Sequence, residues 1–174
     1  PSIVAECGRE LGVVGSAAGQ AGGKGAGVAA EGIEGKATIQ IQVPPEKVYA
    51  MISDVNRMGE WSPECRKAEW IEGATGPAVG ARFKGSNKKG IVRWSTKPTV
   101  KAADPGREFT FEVGRPGKED TRWSYRLAPK DGGTELTESF EALRYGLFFK
   151  AVAPPKRRLR ELQQVLEKTL ERIK

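Results

Sequence analysis

The chain has 174 residues, a net charge of +7, two cysteines and no histidine. That length holds one domain plus an appendage. The absence of histidine removes His-based zinc sites, Ser-His-Asp triads and Cys-His dyads, and two separated cysteines cannot frame a disulfide scaffold or a thiolate metal site. No metal or cofactor is expected, and any acid–base chemistry falls to Asp, Glu, Tyr, Lys or Cys.

Gly8 to Gly35 holds ten glycines and six alanines in 28 residues, with no sustained apolar period. Glycine loses the most backbone entropy on ordering, and this segment offers little to bury in return, so residues 1–35 are expected to form a flexible tail. Neither a Gly-Lys-Ser/Thr sequence nor a βαβ pattern accompanies the glycines, which argues against a nucleotide loop. Glu6, Arg9 and Glu10 interrupt the N-terminus, so no secretory leader is expected, and no run approaches the roughly 20 apolar residues that cross a bilayer. A cytoplasmic location is the expectation. The first 36 residues carry three basic and four acidic side chains, leaving a net +8 on the remainder.

From Lys36 a folded domain, 36–174, is expected. Thr38 to Val43 alternates polar and apolar as a half-buried strand does. Pro44-Pro45 then opens a short helix, since proline suits a first helical turn, and Val48, Ile52 and Val55 mark its apolar face. Asp54 is placed to cap a second short turn. Strand candidates follow at Arg66–Ile71, Ala81–Ser86, Gly90–Thr96, Thr99–Ala103, Glu108–Val113, Thr121–Ala128 and Thr134–Phe140. Turns are expected at Asn87–Gly90, Asp104–Gly106 and Lys130–Gly133. Strands in series without helices between them predict an antiparallel meander. After Pro154-Pro155, Leu159, Leu162, Leu166, Leu170 and Ile173 recur every three or four residues, which predicts a long amphipathic helix with a basic outer face.

This order, with particular residues, resembles the START-like helix-grip superfamily (SRPBCC), and within it the polyketide cyclase/dehydrase-type branch. Val48-Tyr49-Ala50 through Asp54 to Glu60-Trp61-Ser62-Pro63 is similar to the branch's first-helix motif. Gly80 to Gly85, Gly90 to Trp94, Asp104 to Phe109, Trp123-Ser124-Tyr125 and Gly133 to Ser139 are similar to its strands. The resemblance implies an α+β fold: a seven-stranded curved antiparallel sheet wrapped around the C-terminal helix, with two short helices after the first strand. It also implies an apolar cavity between sheet and helix.

Strand parity sorts the side chains. Phe109, Phe111 and Val113 share one face; Trp123, Tyr125 and Leu127 share another; Val92 and Trp94 go with Thr96, and Phe83 lies opposite Arg82 and Lys84. These apolar sets are expected to face the long helix, either filling a solid core or lining a ligand cavity. The ligand-binding candidates are Trp61, Phe83, Trp94, Phe109, Phe111, Trp123, Tyr125 and Tyr145. Phe148 and Phe149 join Tyr145 as possible covers for one end. Trp61 reads as a packing anchor or as the cavity lip. Glu138 shares parity with Leu136 and Phe140, so an inward face would place a carboxylate in an apolar chamber and raise its pKa. It is the one weak catalytic candidate. Cys65 reads as a small buried residue.

The leading expectation is a carrier or sensor of a small hydrophobic ligand, lipid- or polyketide-like, without chemistry of its own. The alternatives are a cyclase or dehydratase using polar groups in the cavity, and a basic module for anionic membranes or nucleic acid, suggested by Lys88-Lys89 and Lys156-Arg157-Arg158. Nucleic acid is the weaker of these partners, because no aromatic stacking platform stands among the basic groups. A monomer or a homodimer fits the sequence equally.

Overall fold

Alternation in the sequence becomes one curved antiparallel sheet in the computed structural model, which describes residues 34–143 and 155–174. The chain runs β1 (Glu34–Ile41), α1 (Pro45–Ile52), a 3-10 helix (Val55–Glu60), β2 (Cys65–Ile71), β3 (Arg82–Lys89), β4 (Val92–Thr96), β5 (Thr99–Asp104), β6 (Glu108–Arg115), β7 (Lys118–Lys130), β8 (Gly133–Ala142) and α2 (Pro155–Ile173). The strand order is β1-β8-β7-β6-β5-β3-β2, with β4 paired to β3. β4 and β5 lie end to end beside β3, with buried Pro98 at the break, so the sheet is seven strands wide. Of the expected tail 1–35, Glu34 and Gly35 instead pair with β8 as the start of β1, and residues 1–33 lie outside the described residues, as do Tyr145, Phe148 and Phe149.

Local chemistry sets the ends of the elements. Pro45 occupies the first turn of α1, where a missing N–H is harmless. Asp54 accepts from Asn56 N at 3.2 Å and so caps the 3-10 helix. Asp131 (φ 48°) and Gly132 (φ 76°) both take the left-handed conformation that a two-residue hairpin between β7 and β8 demands.

Three more expectations are corrected. The first strand stops at Ile41 instead of Val43, because the chain turns toward Pro44. Asn87, Lys88 and Lys89 extend β3 rather than turning, because Gly90 (φ +58°) and Ile91 make the turn alone. Val92 does not join the inward apolar set; it is 57% exposed at the start of β4.

The concave face carries the core. Ile41, Val48, Tyr49, Ile52, Val55, Met58 and Trp61 cover Phe83, Val100, Phe109, Phe111, Tyr125, Leu127 and Leu136, and Leu170 and Ile173 of α2 join them. A second cluster, Phe140 with Leu162 and Leu166, lies under the preceding turns of α2. Burying such side chains contributes about 1.5–3 kcal/mol each. The convex face is partly buried too. Glu112 sits 7% exposed beneath Lys101 (3.0 Å) and Arg122 (2.7 Å), and Arg122 also reaches Glu141.

Candidate functional site

β8 reads Leu136-Thr137-Glu138-Ser139-Phe140, and its odd and even members face opposite ways. Leu136, Glu138 and Phe140 all point into the concave side, 0–2% exposed. Parity ties Glu138 to Leu136 and Phe140 without saying which way that face turns; it turns inward. Glu138 lies between Tyr125 on β7 and the small Ala37 on β1, its direct partners in register. It also lies between the two apolar clusters: Leu136 belongs to the first and Phe140 to the second, while Ala37 and Trp123 pack against both.

The Tyr125 hydroxyl donates to Glu138 Oε1 at 2.8 Å. Glu138 Oε2 and the Trp61 indole Nε1, both buried, have no hydrogen-bond partner among the described residues. The Trp61 indole is directed at the Tyr125 hydroxyl and acts on its acidity, but does not reach hydrogen-bond geometry. An unpaired buried polar atom costs about 1–3 kcal/mol, so two of them around one hydroxyl mark an unusual place.

Burial drives the Glu138 pKa up to about 8, against the opposing pull of the Tyr125 hydrogen bond. Burial, then the Glu138 charge and hydrogen bond, push the Tyr125 hydroxyl well above its ordinary range. At neutral pH Glu138 is thus a carboxylic acid. Since Oε1 accepts from Tyr125, the proton sits on Oε2, and Oε2 becomes a donor. Two unpaired donors, Oε2–H and Nε1–H, then stand near the Tyr125 oxygen in an otherwise apolar setting. Such a group can hold a carbonyl or hydroxyl oxygen. A carboxyl with a pKa near neutrality can also pass a proton.

The other candidates divide clearly. Trp61, Phe83, Phe109, Phe111 and Tyr125 all lie in the first cluster, 0–7% exposed. Phe83 and Phe111 meet edge to face at 5.2 Å, and Phe109 is tilted against Phe111 at 5.8 Å. Trp123 is half-buried at the seam, 5.6 Å from the Phe140 ring. Trp94 sits apart from both clusters, half-buried opposite Asn87 at the outer end of the concave face. Tyr145 lies outside the described residues. Two contributors were not anticipated. Trp70 faces Phe83 across the β2–β3 ladder at 5.7 Å, and its shared parity with Ala68 was there to be read. Ala37 could not be found that way, because its importance comes from pairing with Glu138. Cys65 is buried, as expected, and burial raises its thiol pKa, which makes it a poor nucleophile.

Two open surface hollows, of about 420 and 540 Å³, lie elsewhere. One runs along Asp104, Arg107, Arg126 and Glu135, and the other along residues 72–81. Neither includes Tyr125 or Glu138. Among the described residues no group of three or more metal-ligating side chains forms, and no helix is long and apolar enough to cross a membrane.

Comparison with known proteins follows the fold. A family model described as polyketide cyclase / dehydrase and lipid transport matches residues 33–174. The solution structure of the Polyketide_cyc-like protein Cgl2372 from Corynebacterium glutamicum is 32% identical, with a TM-score of 0.55, over 79% of this chain and 88% of that one. The crystal structure of MLL2253 from Mesorhizobium loti is 20% identical, with a TM-score of 0.58, over 80% of this chain and 93% of that one. DynU16, a protein of the dynemicin biosynthetic locus, is 14% identical with a TM-score of 0.55, over 80% of this chain and 45% of that one. The last two show the fold alone. No curated protein matches the chain.

Proposed function

This chain belongs to the polyketide cyclase/dehydrase and lipid transport family, and on that premise we propose that it binds a small hydrophobic molecule between the concave face of the sheet and α2. The observation that carries this reading is Glu138: a carboxyl 2% exposed, held through one oxygen by Tyr125 and unpartnered at the other, at the seam of two apolar clusters. Ligand sites are mostly apolar with a few convergent polar groups, and this seam has that composition. A ligand oxygen supplies the acceptor that Glu138 Oε2 and Trp61 Nε1 lack. The aromatic residues around them, Trp123 above all, supply apolar contact. The ligand class is therefore a largely apolar, uncharged molecule with a carbonyl or hydroxyl group.

Affinity for a neutral aromatic ketone such as 2-acetylnaphthalene, followed by tryptophan fluorescence across pH, tests the proposal. The wild type is expected to bind saturably at neutral pH and to lose affinity as Glu138 ionises around pH 8. Glu138→Gln keeps a donor in place of Oε2 and is expected to bind without that loss. Glu138→Leu removes the donor and is expected to bind about tenfold more weakly, the worth of one hydrogen bond. Failure of any saturable binding, or a pH profile shared by wild type and Glu138→Gln, overturns the reading.

A cyclase or dehydratase activity rests on the same pair. A neutral carboxyl with a pKa of about 8 is matched to protonating a departing hydroxyl near physiological pH. Turnover of a β-hydroxyketone that depends on Glu138 would separate catalysis from carriage.

A further inference from the structure

The hairpin joining β3 and β4 carries a feature that its own folding does not explain. Gly90, at φ +58°, fills the first central position of a two-residue turn, and Ile91 fills the second. Such turns favour Asn, Ser, Thr or Asp after the glycine, because those side chains bond the nearby backbone. Here the second residue is a β-branched aliphatic that is 98% exposed, followed by Val92 at 57%. Single exposed aliphatics are ordinary, but two adjacent ones at a turn tip are not.

The hairpin also stands clear of the sheet. β3 pairs with β2 as far as Asn87, with one further bond from Lys88 N to Glu64 O, and meets β5 at Arg82–Thr99. Lys88 to Arg93 therefore form a ribbon flanked by no other strand among the described residues. From Arg82 to Lys97 there are six basic residues and no acidic one. Lys88 pairs with Arg93 in register on one face of the ribbon. Lys89, on the other face, reaches Glu161 of α2 at 2.6 Å and ties the ribbon to that helix. Trp94 lies half-buried three residues behind the tip.

We propose that the β3–β4 hairpin is a membrane-docking element, which places Ile91 and Val92 into an anionic lipid surface while Lys88 and Arg93 meet the phosphate headgroups. Aliphatic tip, basic flanks and a tryptophan behind them follow the polarity of a bilayer interface from acyl chains outward. An acidic protein surface would satisfy the cations but leave the two aliphatics unexplained. The attraction to a negatively charged leaflet accounts for both. The docking does not depend on which ligand the interior takes.

The test is flotation of the full chain with phosphatidylcholine vesicles prepared with and without phosphatidylglycerol. Wild type is expected to float with the anionic vesicles and to remain largely soluble with the neutral ones. Ile91→Asp/Val92→Asp is expected to bind about tenfold or more weakly, from the lost apolar area and the added charge, with unfolding temperature unchanged because both side chains are solvent-exposed. Arg93→Gln is expected to lower binding to the anionic vesicles specifically. Brominated lipid is expected to quench tryptophan emission in the wild type and much less in Trp94→Phe. Glu138→Leu separates docking from ligand capture, since it should float as wild type does. Wild-type protein that ignores both vesicles, or a double variant that floats equally well, overturns the proposal.

Discussion

Replacing Glu138 with glutamine should make the protein more stable, and only above a certain pH. In the unfolded chain this carboxyl titrates at its ordinary 4.5, whereas in the folded protein it holds its proton to about pH 8. Below pH 4.5 both states are protonated and the residue adds no pH dependence. As pH rises from 4.5, the unfolded state gives up the proton first, so the folded state loses about 1.4 kcal/mol of relative stability per pH unit. The loss reaches about 3 kcal/mol near neutrality and at most about 5 kcal/mol by pH 8, beyond which both states are ionised. Glutamine cannot ionise, and its carbonyl still accepts from Tyr125. Urea unfolding of wild type and Glu138→Gln at a series of pH values measures the difference directly, with the other carboxylates cancelling between the two proteins. Coincidence at low pH, a gap opening from pH 4.5 and a plateau past pH 8 are expected. A gap that stays constant across that range would refute a buried neutral carboxyl at this position.

Tyr125→Phe removes the partner of Glu138 Oε1, so the loss should be about 1–3 kcal/mol, and the upper midpoint of the stability profile should move above its wild-type position because that hydrogen bond lowers the Glu138 pKa. Leu166→Ala removes a fully buried side chain of α2 from the cluster with Phe140 and Leu162; about 3 kcal/mol of stability should go, with faster hydrogen exchange in α2 amides. Glu112→Ala on the convex face should cost about 1–2 kcal/mol, less than a fully buried pair, because Arg122 keeps Glu141 and Lys101 keeps Glu119. A double-mutant cycle with Arg122→Ala would isolate that pair, and additive losses would refute the coupling.

Much of this was open to reading from residues alone, for identifiable reasons. Apolar and polar residues alternate plainly in β6, β7 and β8, so parity groups Phe109 with Phe111 and Trp123 with Tyr125 as inward sets, and ties Glu138 to Leu136 and Phe140 without fixing which way that face turns. The leucine repeat of α2 is equally plain. Turn signals were less reliable at Asn87-Lys88-Lys89, where three polar residues look like a loop but pair as strand because Gly90 alone supplies the positive φ. Register between strands was invisible. It decides that Tyr125 and Ala37, rather than other residues, flank Glu138. The approach of Trp61 to that pair depends on how α1 and the 3-10 helix dock, a matter of tertiary packing that no local pattern encodes. The assignment of Val92 to the inward set failed because parity near a ribbon tip no longer selects between core and solvent.

The pairing of β1 with β8, and the placing of α2 over both, has a kinetic consequence. Thr38 and Thr137 hydrogen-bond across 99 residues of chain, and Gln163 bonds the Lys36 carbonyl across 127. Contacts so distant along the chain make closure slow, since long loops must be ordered before the contacts repay it. During synthesis α1 and the 3-10 helix emerge before most of the sheet they cover, whereas α2 emerges after every strand. Phe140 therefore waits without Leu162 and Leu166 until the last helix arrives, and that interval is where chaperone dependence and misassembly would concentrate.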